Sequence, residues 1–247
     1  MSKSPLLLWP SIRTIETIVQ ARKREEVVAT DTKDRILDAA EQLFADLGFS
    51  TTSLRDITSE AGVNLASVNY HFGSKEALLT AVLARRIAPI NELRLQRLDE
   101  VERAAGSMGP AMEDILRAFI APPFEMKAAC GDGDRKFVRL LGRVHVETNE
   151  EFRTAFINQF MTVFSRFIEA SQRVLPDIEP NEITARFWFI VGAMAHTMMW
   201  AQTAGLTDTA RDPNEAIESL VQFGAAGLSA PMLQPVPVRS GNTGTGR

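Results

Sequence analysis

A chain of 247 residues, 45% of them hydrophobic and with both charge signs dispersed, is long enough to bury a sizeable core and falls outside the composition of a disordered chain. Its formal net charge of -4 excludes a uniformly basic nucleic-acid binder, so any grip on phosphates has to come from local charge. The single cysteine, Cys130, excludes an intramolecular disulfide framework, and no histidine accompanies it at zinc-ligand spacing.

The apolar stretch Pro5-Leu6-Leu7-Leu8-Trp9-Pro10 is too short to span a membrane and lacks the long apolar core and cleavage site of a signal peptide, so a cytoplasmic location is expected. Residues 1–30 carry no helical apolar stripe and read as a disordered extension. Its run Arg22-Lys23-Arg24 could lie along DNA, but Glu25 and Glu26 offset most of the charge and favour a plain leader. At the other end, residues 231–247 are rich in Pro, Gly, Ser and Thr and read as a disordered tail.

Between these ends, apolar spacings of three and four recur while alternation is almost absent, which predicts an all-α fold. The first helix places Ile36, Ala40, Leu43, Phe44 and Leu47 on one face and Asp34, Asp38 and Glu41 on another. A short second helix follows, capped by Thr52 or Ser53 with Asp56 completing a capping box, and ends near Ala61. Gly62 supplies a tight turn, Val63 packs, and Asn64 caps a third short helix running to about His71. Two short helices joined by such a turn form a helix-turn-helix. Ser74 caps a long fourth helix with Leu78, Leu79, Val82, Leu83 and Ile87 inward, continuing to about Ala105 with a kink expected at Pro89.

Further helices are expected over roughly 110–128, 134–148, 150–175, 181–204 and 213–229. The one around Phe187 to Trp200 is apolar nearly all round, which implies burial on more than one side. In the last helix Ile217, Leu220, Val221, Gly224 and Leu228 form one stripe, and with Trp200 they are the expected dimer seam. The organisation expected is therefore an extension over 1–30, a helix-turn-helix domain over 31–77, a helical ligand-binding and dimerisation domain over 78–230, and a tail over 231–247.

The segments Arg35-Ile36-Leu37-Asp38-Ala39-Ala40, Leu43-Phe44, Gly48-Phe49, Thr52-Ser53-Leu54-Arg55-Asp56-Ile57, Ala61-Gly62-Val63-Asn64 and Tyr70-His71-Phe72-Gly73-Ser74-Lys75-Glu76-Ala77-Leu78 resemble, in order and without a gap, the DNA-binding domain of the TetR family. The wording of this head and of Arg139-Leu140-Leu141-Gly142-Arg143 is most similar to the fatty-acid-responsive repressors of that family. The resemblance implies a homodimeric transcriptional repressor on a palindromic double-stranded operator, released by a small lipophilic effector such as a fatty acyl compound.

In such a head the third helix enters the major groove, and its candidate contacts are Asn64, Leu65, Ala66, Ser67 and Asn69. Ser67 and Asn69 can hydrogen-bond bases, and Leu65 and Ala66 can touch thymine methyls. Thr52 and Ser53 belong to the same candidate set, and Arg55 is the residue of the head able to fork onto a guanine. Tyr70 and His71 match family positions that hold phosphates, and Lys75 sits in the first turn of the fourth helix, where free amides add to its charge. The plain alternatives are a packing tyrosine, a helix-ending histidine and a solvated lysine.

For the effector, Phe119, Phe124, Met126, Phe137, Leu141, Phe160, Phe164, Trp188 and Met198 supply the aromatic and flexible surface that lines cavities, although such stripes also make ordinary core. His145 borders that face, His196 falls in the apolar helix as a core histidine, and Arg139 and Arg143 read as surface charge. The run Gly131-Asp132-Gly133-Asp134 lacks the later ligands of a calcium loop and reads as a turn, so no metal and no cofactor are expected. The sequence contains no nucleophile elbow, phosphate-binding glycine loop or dinucleotide fingerprint, which argues against an enzyme. The alternative within the same fold is a ligand-binding helical dimer whose head no longer binds DNA.

Overall fold

The computed structural model describes residues 32–130, 140, 149–200 and 212–231, with the side chains of 127–130, 199 and 200 outside the description. The expected extension and tail, the helix over 134–148, the turn at 131–134 and the side chains of Arg139 and Arg143 therefore lie outside the described residues.

The described residues are helical, without strands, as the spacing predicts. The head comprises α1 (Thr32–Asp46), α2 (Leu54–Ala61) and α3 (Leu65–Phe72). A 31-residue helix α4 (Lys75–Ala105) leaves the head, passes through Pro89 as one element and ends in a 3-10 turn at Gly106–Met108. The larger domain adds α5 (Met112–Cys130), α6 (Glu150–Asn158), α7 (Met161–Val174), α8 (Pro180–Trp200) and α9 (Pro213–Leu228).

Two apolar cores result, because each helix buries one stripe and α4 is long enough to serve both. The head core gathers Ile36, Ala40 and Phe44 of α1, Ile57 of α2 and Val68 of α3 on Leu78, Leu79, Val82 and Leu83 of α4, all fully buried. The second core gathers Leu98, Ile115, Leu116, Phe119, Phe167, Phe187 and Val221. Phe152 of α6 belongs to the head core, fully buried with its ring 6.3 Å from Phe49, so α6 bridges the two parts of the molecule.

Polar clamps fix these helices. Glu41 is only 2% exposed and is gripped by Arg85 and Arg86 of α4, with Arg85 also reaching Asp38 at 2.7 Å. This corrects the placement of Glu41 on an outward polar face: the carboxylate lies in the α1–α4 seam and is neutralised there. Leu47, expected on the buried stripe, falls beyond the end of α1 and is half exposed. Arg186 of α8, itself buried, donates to the carbonyls of Gly227, Leu228 and Ala230 at the end of α9, where helix carbonyls have no partners of their own.

The helix expected over 150–175 is broken at Gln159 and Phe160. There Asn91 Nδ2 donates to the Gln159 carbonyl at 2.6 Å, and the Phe160 ring packs against both cores. Pro122 and Pro123 lie inside α5 and carry no N–H, so the carbonyls of Ala118 and Phe119 lose their helical donors. Arg94, fully buried, takes up the second of these: its Nε donates to the Phe119 carbonyl at 2.8 Å.

The stripe of Ile217, Leu220, Val221, Gly224 and Leu228 is turned into the subunit's own core, where Gly224 approaches Leu116 and Ile190. This corrects their assignment as a dimer seam, since they are already covered by α5 and α8. The opposite side of α8 and α9 exposes Trp188 (43%), Phe189 (72%) and Phe223 (62%). His196 lies on this exposed side of α8 rather than in the core as expected. The side chain of Trp200 is outside the described residues.

Candidate nucleic-acid interface

The geometry of the head is set by residues that act within a few positions of each other. Ser53 caps α2: its hydroxyl accepts from the Asp56 amide, and the Asp56 carboxylate accepts from the Ser53 amide at 2.8 Å. The hydrogen bonds from Ser53 hold the Asp56 carboxyl below its usual pKa. Gly62 ends α2 in the left-handed region, with φ 63°, and turns the chain toward α3. Arg35 of α1 donates to the carbonyls of Ala61 and Gly62, the second at 2.9 Å, so the turn is pinned to the first helix.

A side chain at position 62 meets two obstacles. The backbone region is strained for any residue with a Cβ, and that Cβ stands 2.8 Å from Arg35 Nη2. Gly62→Ala is expected to cost about 2 kcal/mol, from about 1 kcal/mol of backbone strain and about 1 kcal/mol for a loosened hydrogen bond. Thermal denaturation checks this, and a melting temperature within a degree of wild type would contradict it.

Asn64 caps α3 through its side-chain oxygen, which accepts from the amide of Ser67 at 2.8 Å and from its hydroxyl at 3.0 Å. Asn64 therefore keeps only its amide NH2 for a base, and the Ser67 proton is committed. Val68 is the buried anchor of α3, while Leu65, Ala66, Asn69 and Tyr70 are exposed and Ser67 and His71 are partly covered. Tyr70 stands 86% exposed with its ring edge-on to His71 at 5.1 Å. Among the described residues its one ring contact is with His71, so Tyr70 is not the packing residue of the plain alternative.

Arg55 is exposed on α2 and pairs with no carboxylate among the described residues. Thr52, a candidate contact in the sequence, is buried, and its hydroxyl donates to the Gly48 carbonyl at 2.8 Å. That corrects its assignment: Thr52 closes the α1–α2 loop and is turned away from solvent, leaving Ser53 as the cap. Lys75 lies with its Nζ 4.3 Å from the centre of the Phe49 ring, a cation–π contact that holds the amine at the start of α4.

Of the effector candidates, Phe119, Phe160 and Phe164 come together, with rings 5.7 Å and 6.1 Å apart. Phe124 and Met198 join the same core, whereas Met126 packs on the head core. Trp188 contacts Phe164 at 4.9 Å but is half exposed on the outer face. Phe137, Leu141 and His145 lie outside the described residues. A cleft of about 530 Å³ opens elsewhere, between the end of α4 and α7, lined by Glu102, Met108, Arg173 and Val174.

Sequence reasoning overlooked Arg94. Its guanidinium is stacked 4.2 Å from the centre of the Phe119 ring, and Nη1 donates to Asn91 Oδ1 at 3.2 Å. Burial alone pushes its pKa down to about 9. The signal was present: Ile87, Ile90, Arg94, Leu98 and Val101 share the apolar stripe of α4.

Comparison with known proteins decides the family. A model described as bacterial regulatory proteins of the tetR family matches residues 36–82, and one described as a tetracyclin repressor-like C-terminal domain matches residues 117–227. The chain belongs to the TetR family.

Curated relatives of the TetR family share part of the chain. A transcriptional repressor of Mycobacterium tuberculosis is 48% identical over 95 residues, which cover 38% of this chain and 48% of that protein. The regulator SrpR of Pseudomonas putida is 37% identical over 90 residues, 36% of this chain and 42% of that one. The matches thus span less than half the length of these relatives, whose names describe a transcriptional repressor and a transcriptional regulator.

Solved structures extend the likeness to the whole TetR fold. The fatty acid degradation regulator FadR from Bacillus halodurans superposes with a TM-score of 0.58 at 17% identity, covering 81% of this chain and 98% of that one. FadR from Bacillus subtilis, solved in complex with stearoyl-CoA, gives 0.59 at 16% identity, with 78% and 97% covered. At such identities the likeness is one of fold. Among the described residues no helix is long and apolar enough to cross a membrane, and no cluster of metal-ligating side chains occurs.

Proposed function

We propose that this protein is a homodimeric, sequence-specific DNA-binding repressor in the cytoplasm, released from a palindromic operator when a small lipophilic effector enters its larger domain. The observation that carries the reading is the outward face of α3. One valine anchors the helix, and Leu65, Ala66, Asn69 and Tyr70 stand in solvent beside a pinned helix-turn-helix. A head retained only for packing has no use for that face, which disfavours a dimer that no longer binds DNA.

The second half of the reading is the dimer. Trp188, Phe189 and Phe223 are exposed aromatic side chains on α8 and α9, and in this reading the same two helices of a two-fold copy cover them. Two heads on one face of DNA then roughly add their binding free energies. A fatty acyl effector rests on the resemblance of the head and of residues 139–143 to fatty-acid-responsive repressors. FadR of Bacillus subtilis is itself solved with stearoyl-CoA.

The roles of individual head residues separate by salt. Arg55→Ala is expected to relax preference at particular base pairs by about 1–3 kcal/mol, whereas Lys75→Ala weakens binding to all sequences and lowers the salt slope by about 1. Titrations of specific and scrambled duplexes at several salt concentrations test both. Loss of sequence preference in Lys75→Ala with an unchanged salt slope would reverse the assignment.

A further inference from the structure

Among the described residues, the fully buried Arg94 of the second core meets only uncharged groups: the Phe119 carbonyl, the Asn91 side-chain oxygen, the Met194 sulfur at 3.8 Å and the Phe119 and Phe160 rings. Among the described residues no carboxylate pairs with it. Its neighbour on the same helix shows the contrast, since Arg97 is just as buried but is held bidentately by Glu125. A buried charge left without an opposite charge is costly, and an arginine stays protonated at neutral pH even in such a place.

Capping the carbonyl freed by Pro123 does not explain the charge. One neutral N–H satisfies that carbonyl, and Nε supplies it. The two terminal nitrogens remain, carrying four N–H groups between them and meeting, among the described residues, one amide oxygen and one thioether. A thioether is a weak acceptor, and methionine is the side chain most able to move aside. The fork is matched to a carboxylate, which takes two parallel N–H donors at once. Around it stand Phe119, Phe160 and Met194, which suit an apolar body attached to that carboxylate.

We infer that Arg94 is the receptor for the anionic head group of the effector, and that the effector is an apolar compound bearing one carboxylate. This deepens the effector part of the proposed function and rests on it. The carboxylate displaces the Met194 sulfur from Nη2 and neutralises the guanidinium, while the apolar body lies against Phe119 and Phe160. Phe160 packs on both cores and contacts Phe156 of α6 at 4.9 Å, and α6 places Phe152 in the head core, so occupancy of this site reaches the head through one helix.

The test uses the full-length protein without DNA, titrated calorimetrically with decanoate, methyl decanoate and decyltrimethylammonium. Wild type is expected to bind decanoate at least 10-fold more tightly than the ester and to reject the cation. In Arg94→Gln, which keeps one neutral donor for the Phe119 carbonyl, the preference for decanoate over the ester disappears. Arg94→Lys retains part of it. A purely structural arginine predicts the reverse, with shifted melting temperatures and an unchanged ratio. Equal binding of acid and ester by wild type, no binding of decanoate, or an Arg94→Gln ratio equal to wild type each overturns the inference. The wild-type comparison stands even where the variant does not fold. DNA binding is measured separately, so loss of operator recognition is distinguished from failure of this site.

Discussion

Phe189→Arg is expected to leave the protein monomeric and to abolish tight operator binding. Phe189 is 72% exposed in the subunit, so the substitution leaves the core of the single chain untouched. Across a two-fold interface each substitution counts twice. Burial of a phenylalanine is worth roughly 1.5–3 kcal/mol, so removing two copies costs about 3–6 kcal/mol, a rise in dimer Kd of roughly 100-fold to 10,000-fold. The arginine adds two like charges across the axis. Light scattering at micromolar protein reads the mass, and circular dichroism checks that the helices persist. An unchanged dimer mass would place the seam elsewhere.

Glu41→Ala is expected to be the most destabilising single change in the head. The carboxylate is 2% exposed and faces Arg85 and Arg86, so its removal leaves two guanidinium groups side by side in the α1–α4 seam with Asp38 still bound to Arg85. Breaking a buried pair costs about 3–5 kcal/mol. The arginine side chains are 25% and 32% exposed, so water recovers part of this and the low end, about 3 kcal/mol, is expected. For a chain of this length that lowers the melting temperature by roughly 6–12 °C. Glu41→Gln keeps the volume and one acceptor and is expected to lose less. Equal melting temperatures for Glu41→Ala and wild type would show that the clamp contributes nothing.

The head was legible because its determinants are local. Ser53, Asn64 and Ser74 each cap a helix by accepting from an amide three residues on, and Gly62 takes the left-handed conformation that its place between two short helices requires. Helical periodicity located α8 and α9 but not their outward sides. α8 is apolar nearly all round, so no stripe distinguishes the face that meets its own chain from the one left in solvent. On α9 the apolar stripe is consumed by the subunit core, and the outer face announces itself through Phe223 alone. Glu41, Arg94 and Arg97 were missed for another reason. A charged residue reads as surface unless its partner is known, and Arg86 for Glu41, the Phe119 carbonyl for Arg94 and Glu125 for Arg97 lie 45, 25 and 28 positions away in the chain.

The corrected positions share a cause as well. Thr52 and Ser53 both suit a cap, and only the path of the α1–α2 loop decides that the threonine hydroxyl closes on Gly48 while the serine faces α2. The break at Gln159 and Phe160 has no glycine or proline to mark it; its Gln159 carbonyl is taken up by Asn91, 68 positions away.

The central claim is that the exposed face of α3 reads a DNA sequence. Its most direct test is a fluorescence anisotropy titration of a duplex taken from the DNA flanking the gene, against a scrambled duplex of equal composition, at about 0.15 M salt. Binding to the flanking duplex is expected to be at least roughly 1,000-fold tighter, with a protected region of two symmetric half-sites. Equal affinities for the two duplexes, falling with the same slope as salt is raised, would contradict the account.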